Sequence, residues 1–195
     1  MNKRSFISLI LSICLLLTGA FLIGCNSTRT QTIKSPDNTT APAPTSPVVT
    51  PSESTPQSLK LTLYYPNLQA TGLIAANRTV EVTNQEVIKA IFKELAVPPS
   101  GLEKPLPEGT ILLNASISTD GIAAIDLSQE FQKNFGGGSA GEQMTLYSIV
   151  NTLTTLPNIH SVQFLIDGQK HPGILGHIDT SEPIKRNESF ILKKD

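Results

Sequence analysis

Apolar and polar positions alternate in several stretches between residues 59 and 166, and each stretch predicts a β-strand. The first is Leu59–Tyr65, which ends at a Pro-Asn pair. The others cover residues 73–82, 111–118, 122–127 and 160–166. An Asp-Gly pair separates the third stretch from the fourth and is typical of a tight turn with positive φ. We therefore expect these two stretches to form a hairpin.

Two further segments carry apolar residues at the three- and four-residue spacing of an amphipathic helix. The first runs from Glu86 to Leu95 and is followed by two prolines, which end a helix. The second follows a run of three glycines and ends before Pro157-Asn158. Each helix starts with the spacing of a capping box, in which side chains bond the free N–H groups of the first turn. The two capping boxes pair Thr83 with Glu86 and Ser139 with Glu142.

The order of these elements predicts an α+β fold, in which two helices pack on one face of a mixed β-sheet. We expect residues 173–179 to form a short last strand and residues 182–186 to form a surface tail. The folded domain is assigned to residues 59–192, which is a usual size for a single domain.

The first 25 residues predict export and a lipid anchor. Lys3 and Arg4 precede an apolar run, and Leu22-Ile23-Gly24-Cys25 resembles the lipobox of bacterial lipoproteins. The resemblance implies that residues 1–24 are a signal peptide and that Cys25 becomes an S-diacylglycerol cysteine, with or without N-acylation. Two acyl chains are enough for stable anchoring. An ordinary signal peptide or an uncleaved membrane helix is the alternative, since the apolar run is near the minimum length for a span.

Residues 25–58 are predicted to be a disordered tether that begins at the lipidated cysteine. Ser, Thr and Pro account for 20 of the 33 residues from 26 to 58. Such a segment buries too little apolar surface to offset the entropy of ordering it. The tether would lift the domain away from the membrane.

Net charge and cysteine content indicate which partners and which thiol chemistry to expect. The formal net charge is −1, and without Lys3 and Arg4 the remaining chain has 13 basic and 16 acidic residues. Nucleic-acid binding would need a clustered basic surface, so we expect none. The only two cysteines lie in the first 25 residues. The exported part is therefore expected to have neither a free thiol nor a disulfide.

Motifs spread over the whole domain resemble those of the GerMN family, which is named after a spore germination lipoprotein. Each motif alone is weak, but they occur in the order of the family. The matching pieces are Leu63-Tyr64-Tyr65-Pro66, the helix from Glu86 to Leu95, Leu106-Pro107-Glu108-Gly109-Thr110, residues 120–128, residues 149–153, residues 162–168 and a closing Pro-x-x-Arg at 183–186.

The resemblance implies a small αβ domain related in shape to the ring-building modules of secretion channels, which pack side by side into oligomers. It implies no established enzymatic activity and no cofactor beyond the covalent lipid. The expected location is the extracytoplasmic face of the cell membrane. The expected partners are the membrane, other copies of the chain, and an envelope or sporulation complex.

The candidate chemical residues favour structural roles over catalysis. Asp120 and Asp167 each precede a glycine in a turn, where aspartate bonds its own backbone. Asp126 is followed by Leu127-Ser128 and is expected to cap the exit of the chain from its strand. The three histidines show no metal-ligand spacing, so no metal site is expected. The glycine-rich loop lacks the lysine of a phosphate-binding loop and is assigned as a candidate interaction loop. Its residues are Gly136, Gly137, Gly138, Ser139 and Gly141.

Three functions remain open at this point. The favoured one is a non-catalytic, membrane-anchored domain that acts in a sporulation, germination or envelope assembly. The second is a tethered module that binds a small ligand or a cell-wall polymer, which would need a concave pocket with convergent polar groups. The third is a hydrolase, which would need a cleft that pairs a histidine with an aspartate or serine.

Overall fold

The computed structural model describes residues 56–83 and 86–193. These residues belong to one compact unit, Thr50–Asp195. The predicted signal peptide, the predicted lipid attachment at Cys25 and nearly all of the predicted tether lie outside the described residues, and they stay predictions. In the described part, no helix is long and apolar enough to cross a membrane.

The described residues form six strands, three α-helices and one short 3₁₀ helix. Their bounds in chain order are β1 Gln57–Pro66, β2 Leu73–Val82, α1 Val87–Leu95, β3 Leu112–Ile117, β4 Ile122–Leu127, α2 Glu130–Lys133, α3 Ser139–Leu153, β5 Ser161–Ile166, β6 Ile184–Lys185 and the 3₁₀ helix Glu188–Phe190.

The strands divide into two sheets. Strands β1 and β2 form a two-stranded antiparallel sheet, in register from Gln57 opposite Val82 to Pro66 opposite Leu73. The second sheet has the order β3-β4-β5-β6, and its central pair, β4 and β5, is parallel. A parallel pair needs a long crossover, which α2 and α3 supply here. The α+β class and the mixed sheet are confirmed, but two sheets replace the single sheet expected from the sequence.

The hairpin between β3 and β4 closes as the Asp-Gly pair predicts. Gly121 has a φ of +73°, which favours glycine. Gly121 also lies against His160, the residue just before β5, because a Cβ atom on Gly121 would stand 2.5 Å from the Cδ2 atom of His160. This glycine therefore serves both the turn and the close packing beside it.

One core joins the helices to both sheets. The predicted stripe of α1 is buried at Ile88, Ile91, Phe92 and Leu95. Helix α3 is buried on most of its surface, so its hydrophobic pattern is less one-sided than that of α1. Side chains of β1, β4 and β5 complete the core, and the Phe131 and Phe164 rings stack there with centroids 6.4 Å apart.

Both predicted capping boxes are wrong. Helix α1 begins at Val87, and its first turn has no side-chain cap. The Glu86 carboxylate instead accepts a hydrogen bond from Lys89 Nζ at 3.1 Å. Helix α3 follows Gly138, also without a side-chain cap, and Glu142 is wholly buried.

The last part of the chain also differs from the prediction. Residues 173–179 form turns and bends rather than a strand, and the closing strand is β6, which pairs with β5. Residues 182–186 are not a free surface tail, since Ile184 is buried. The Arg186 guanidinium donates to the Asn151 carbonyl at 2.7 Å and to the Tyr64 hydroxyl at 2.8 Å. These contacts hold the C-terminal segment against α3 and β1.

Candidate functional site

Strand β3 lies at the edge of the four-stranded sheet and presents apolar side chains to solvent. Its alternation predicts one buried face, yet Ile111, Leu113 and Ile117 are 58%, 49% and 39% exposed. The register shifts between Leu112 and Asn114, where β3 bulges against β4. The bulge breaks the period of two, so the apolar positions before it do not share a buried face with those after it.

A groove of about 810 Å³ runs beside this edge strand. One wall is β3 itself, and the other is the first turn of α1 with the loop that follows α3. We call it the β3 groove; its lining residues are Glu86, Val87, Ile88, Lys89, Leu156, Asn158 and residues 112–117. Aliphatic side chains line much of the β3 wall and half of the opposite wall, which is typical of a surface that takes up apolar groups.

Charge is sparse along the β3 groove. Residues 110–119 contain no charged side chain. On the opposite wall, Glu86 and Lys89 pair with each other at 3.1 Å and leave little net charge. The groove therefore offers apolar contact rather than an electrostatic target.

Both edges of the two-stranded sheet are covered or charged. At the outer edge of β1, the Thr152 hydroxyl accepts the Tyr64 N–H at 3.0 Å, and the Ser148 hydroxyl donates to the Tyr64 carbonyl. Strand β2 carries Arg78 and Glu81, and its Leu73 end is bridged by the C-terminal segment. Charged residues and covering segments are the usual protection of edge strands. Strand β3 has neither along its length, although its bulge limits how regularly another strand can pair.

The glycine-rich loop lies apart from this groove in sequence and forms the entry to α3. Residues 136–138 are irregular and exposed, and Ser139 to Gly141 form the first turn of the helix. A Cβ atom at Gly136 or Gly138 would meet no atom within 4 Å, so packing does not require glycine there. The loop thus presents an open backbone surface, and no contact in the structure assigns it a ligand.

Glu142 makes the contact that the sequence does not reveal. Its carboxylate is fully buried and accepts the N–H groups of His177 and Ile178, at 2.8 and 2.9 Å. Its Oε2 atom also lies 2.7 Å from the Nδ1 atom of His177. A buried carboxylate is stable when several donors satisfy it. Glu142 therefore anchors the segment around His177, 35 residues further along the chain.

The three aspartates singled out from the sequence lie in or beside turns. Asp120 is exposed in the β3–β4 hairpin. Asp167 has a φ of +47°, starts the turn after β5 and accepts Gln129 Nε2 at 2.5 Å. The Oδ1 atom of Asp126 accepts the N–H of Gly168 at 2.8 Å and so ties β4 to that turn. Each contact has a structural explanation in turn geometry.

Other carboxyl groups are also occupied by local hydrogen bonds. The Ser128 hydroxyl lowers the pKa of Glu130, and the hydroxyl and N–H of Ser181 lower the pKa of Asp179. Hydrogen bonds to the ionised form have this direction. These groups are ionised surface carboxylates with local partners.

The histidines do not converge. The His160 ring packs against Gly121, the His171 carbonyl accepts the Thr180 hydroxyl at 2.7 Å, and His177 contacts Glu142. Within residues 56–83 and 86–193, no group of three His, Cys, Asp or Glu side chains could hold a metal ion. The Glu142–His177 pair is therefore a structural contact in this arrangement, and its carboxylate is shared with two backbone donors.

Comparison with known proteins adds a family match. The family model for Germane domains, described as sporulation and spore germination, matches residues 62–172. No curated protein matches the chain significantly.

Two solved structures have a similar fold. The tandem GerMN domains of the sporulation protein GerM from Bacillus subtilis are 23% identical, with a TM-score of 0.56 over 66% of this chain. This chain covers 46% of that structure, so it spans about half its length. The first GerMN domain of the same protein is 23% identical, with a TM-score of 0.53, over 66% of this chain and 98% of that one.

Proposed function

The chain belongs to the GerMN family of sporulation and spore germination domains, and we propose that it is a non-catalytic lipoprotein of a sporulation or germination assembly. The observation that carries the proposal is the family match, which covers most of the folded domain. The domain would stand on the extracytoplasmic face of the cell membrane. The covalent lipid would be its only added group.

The anchor is proposed from the sequence alone. Leu22-Ile23-Gly24-Cys25 follows a basic start and an apolar run, and this arrangement resembles the lipobox of bacterial lipoproteins. A diacylglycerol group at Cys25 would supply two acyl chains and hold the domain stably at the membrane. The tether from residue 26 to the start of β1 would then set the distance between membrane and domain.

The interaction role is proposed from the surface of the domain. Strand β3 exposes apolar side chains and an uncovered edge, and exposed apolar patches mark contact sites on proteins. The three aspartates singled out from the sequence lie in or beside turns, and the three histidines lie apart from one another, so they form no convergent catalytic set. Partners would include other copies of the chain or further proteins of the assembly.

A second candidate, a tethered ligand-binding module, is favoured by one feature. A cavity of about 270 Å³ lies against β4, and Gln163 and Lys170 contribute to its lining. The buried Oε1 atom of Gln163 accepts no hydrogen bond within the described part of the chain. An unpartnered buried acceptor can be satisfied by an ordered water or by a bound molecule. Ser116 and Ser118 are the other polar side chains of the lining, and no contact directs the Oε1 atom of Gln163 into the cavity, so we rank this function second.

Labelling with a fatty acid tests the anchor. We expect the full chain to incorporate labelled palmitate and to sediment with membranes, whereas Cys25→Ser should lose both properties. Cys14→Ser is the matched control, because Cys14 lies in the segment that processing would remove. Label that persists in Cys25→Ser, or that depends on Cys14, would refute lipidation at Cys25.

A further inference from the structure

We propose that two copies of this chain pair through their β3 strands, antiparallel to each other and centred on Ser116. The inference rests on the proposed membrane anchoring only for the local concentration of the copies. It deepens that function by fixing the partner as a second copy of the chain and by giving the register of the contact. The geometry of β3 carries it.

On its open side, the backbone of β3 presents the N–H and carbonyl groups of Ala115 and Ile117, which do not bond β4. The Ser118 N–H bonds the Ile122 carbonyl at 3.0 Å, so by alternation Ser116 and Asn114 also face β4. The backbone groups of Ala115 and Ile117 then point away from the sheet. Consistent with this direction, the Ala115 N–H is bonded by the side chain of Asn114, at 2.9 Å, rather than by β4.

Ala115 and Ile117 define one favoured register for the pairing of the two strands. When Ser116 lies on the two-fold axis, Ala115 of each copy faces Ile117 of the other. Both outward-facing residues then exchange N–H···O=C bonds with the partner copy, once the Asn114 side chain releases the Ala115 N–H. A register centred on Ala115 would use the bulge at Leu113, and one centred on Ile117 would use the hairpin end. Regular pairing is interrupted at both places.

The chemistry of the strand favours an identical partner. A two-fold interface brings each surface patch against itself, so it must be self-complementary. Residues 110–119 carry no charge, and a second copy therefore opposes no like charges along the strand. The half-exposed side chains of Leu113 and Ile117 would be covered by the partner and by the apolar β3 groove. A charged peptide would find no counter-charge on β3.

The contact between the two strands involves few residues, so the fraction of paired copies depends on membrane anchoring. Pairing uses the regular part of β3, from Asn114 to Ile117. In solution such a contact is expected to be weak. Confinement of the copies to one membrane raises their effective concentration and favours the pair.

Cysteine cross-linking of the full chain in membranes tests the pairing. Ser116→Cys should form a disulfide-linked dimer, because residues opposed in a non-hydrogen-bonded pair have Cα atoms about 4.5 Å apart, within disulfide range. Asn114→Cys is the matched control on the same exposed face. Its copy-to-copy distance would be roughly 13 Å, at about 3.3 Å per residue. We expect about tenfold more dimer from Ser116→Cys, given the specificity of disulfide geometry.

Further arms separate this proposal from its alternatives. The unsubstituted chain reports any dimer formed through Cys14 or Cys25. Ile117→Lys added to Ser116→Cys should reduce the cross-link, because it removes an apolar contact and places two like charges diagonally across the pair. Equal cross-linking at positions 114 and 116 would mean random collision and would overturn the proposal. The proposal would also be overturned if the Ser116→Cys variant stayed monomeric or formed an adduct with a different protein. Palmitate label on the same samples distinguishes a failed pairing from a failed anchor.

Discussion

Glu142 is the residue whose role differs most between sequence and structure. Its spacing from Ser139 predicts a capping box, and the local pattern contains nothing else that involves it. In the fold it is buried and holds the backbone of residues 177 and 178. The partners are distant along the chain, so no local pattern could predict them. A glutamate among apolar helical positions could have signalled a buried anchor.

Replacement of Glu142 by Gln should destabilise the domain by about 1–3 kcal/mol, since an amide accepts with one oxygen and places an N–H group against N–H donors. Urea unfolding of the full chain, followed by circular dichroism, measures the change. Glu103→Gln is the matched control, because Glu103 is exposed. Equal stabilities of the two variants would show that the Glu142 contacts contribute nothing.

At the scale of elements, periodicity predicted the strands and helices that bury one face. Strand β2, helix α1 and strand β4 lie close to their predicted bounds, since packing alone determines their pattern. Strand β6 was missed because two residues are too few to show a period. The β3 face was misjudged because a bulge changes the register, and a bulge depends on the partner strand.

Tyr65 links β1 to α1, and its ionisation is expected to destabilise the fold at alkaline pH. Its hydroxyl donates to the Glu94 carbonyl near the end of α1 at 2.8 Å, and burial raises its pKa from 10.0 to about 12. The folded state thus holds this proton more tightly than the unfolded state. The resulting stability is complete below pH 10.0 and is lost as the pH rises towards about 12.

Tyr65→Phe should therefore lower the free energy of unfolding by about 1 kcal/mol near neutral pH, through loss of the hydrogen bond. The difference from the wild type should shrink between pH 10.0 and about 12. Urea titrations at stepped pH measure it. Tyr147→Phe serves as control, because the Tyr147 ring packs against Phe190 in a second, smaller cluster. A difference that stays constant up to pH 12 would contradict the assigned linkage.

At the scale of the molecule, the sequence predicted the class of fold but not its arrangement. Local patterns do not say which strands share a sheet, and the division into two sheets follows from how α3 covers the edge of β1. The β3 groove was equally inaccessible, because it exists only where α1 and the loop after α3 meet an uncovered edge. The family resemblance, in contrast, rested on motifs in chain order and is confirmed.

The central claim is that a tethered GerMN domain acts in the spore, and complementation of a deletion strain tests it most directly. Heat-resistant spore yield and germination would be scored beside vegetative growth, with wild type, Cys25→Ser or Cys14→Ser supplied. We expect a spore-specific defect that wild type and Cys14→Ser rescue and that Cys25→Ser does not. Normal sporulation and germination without the protein, or full rescue by Cys25→Ser, would contradict the claim.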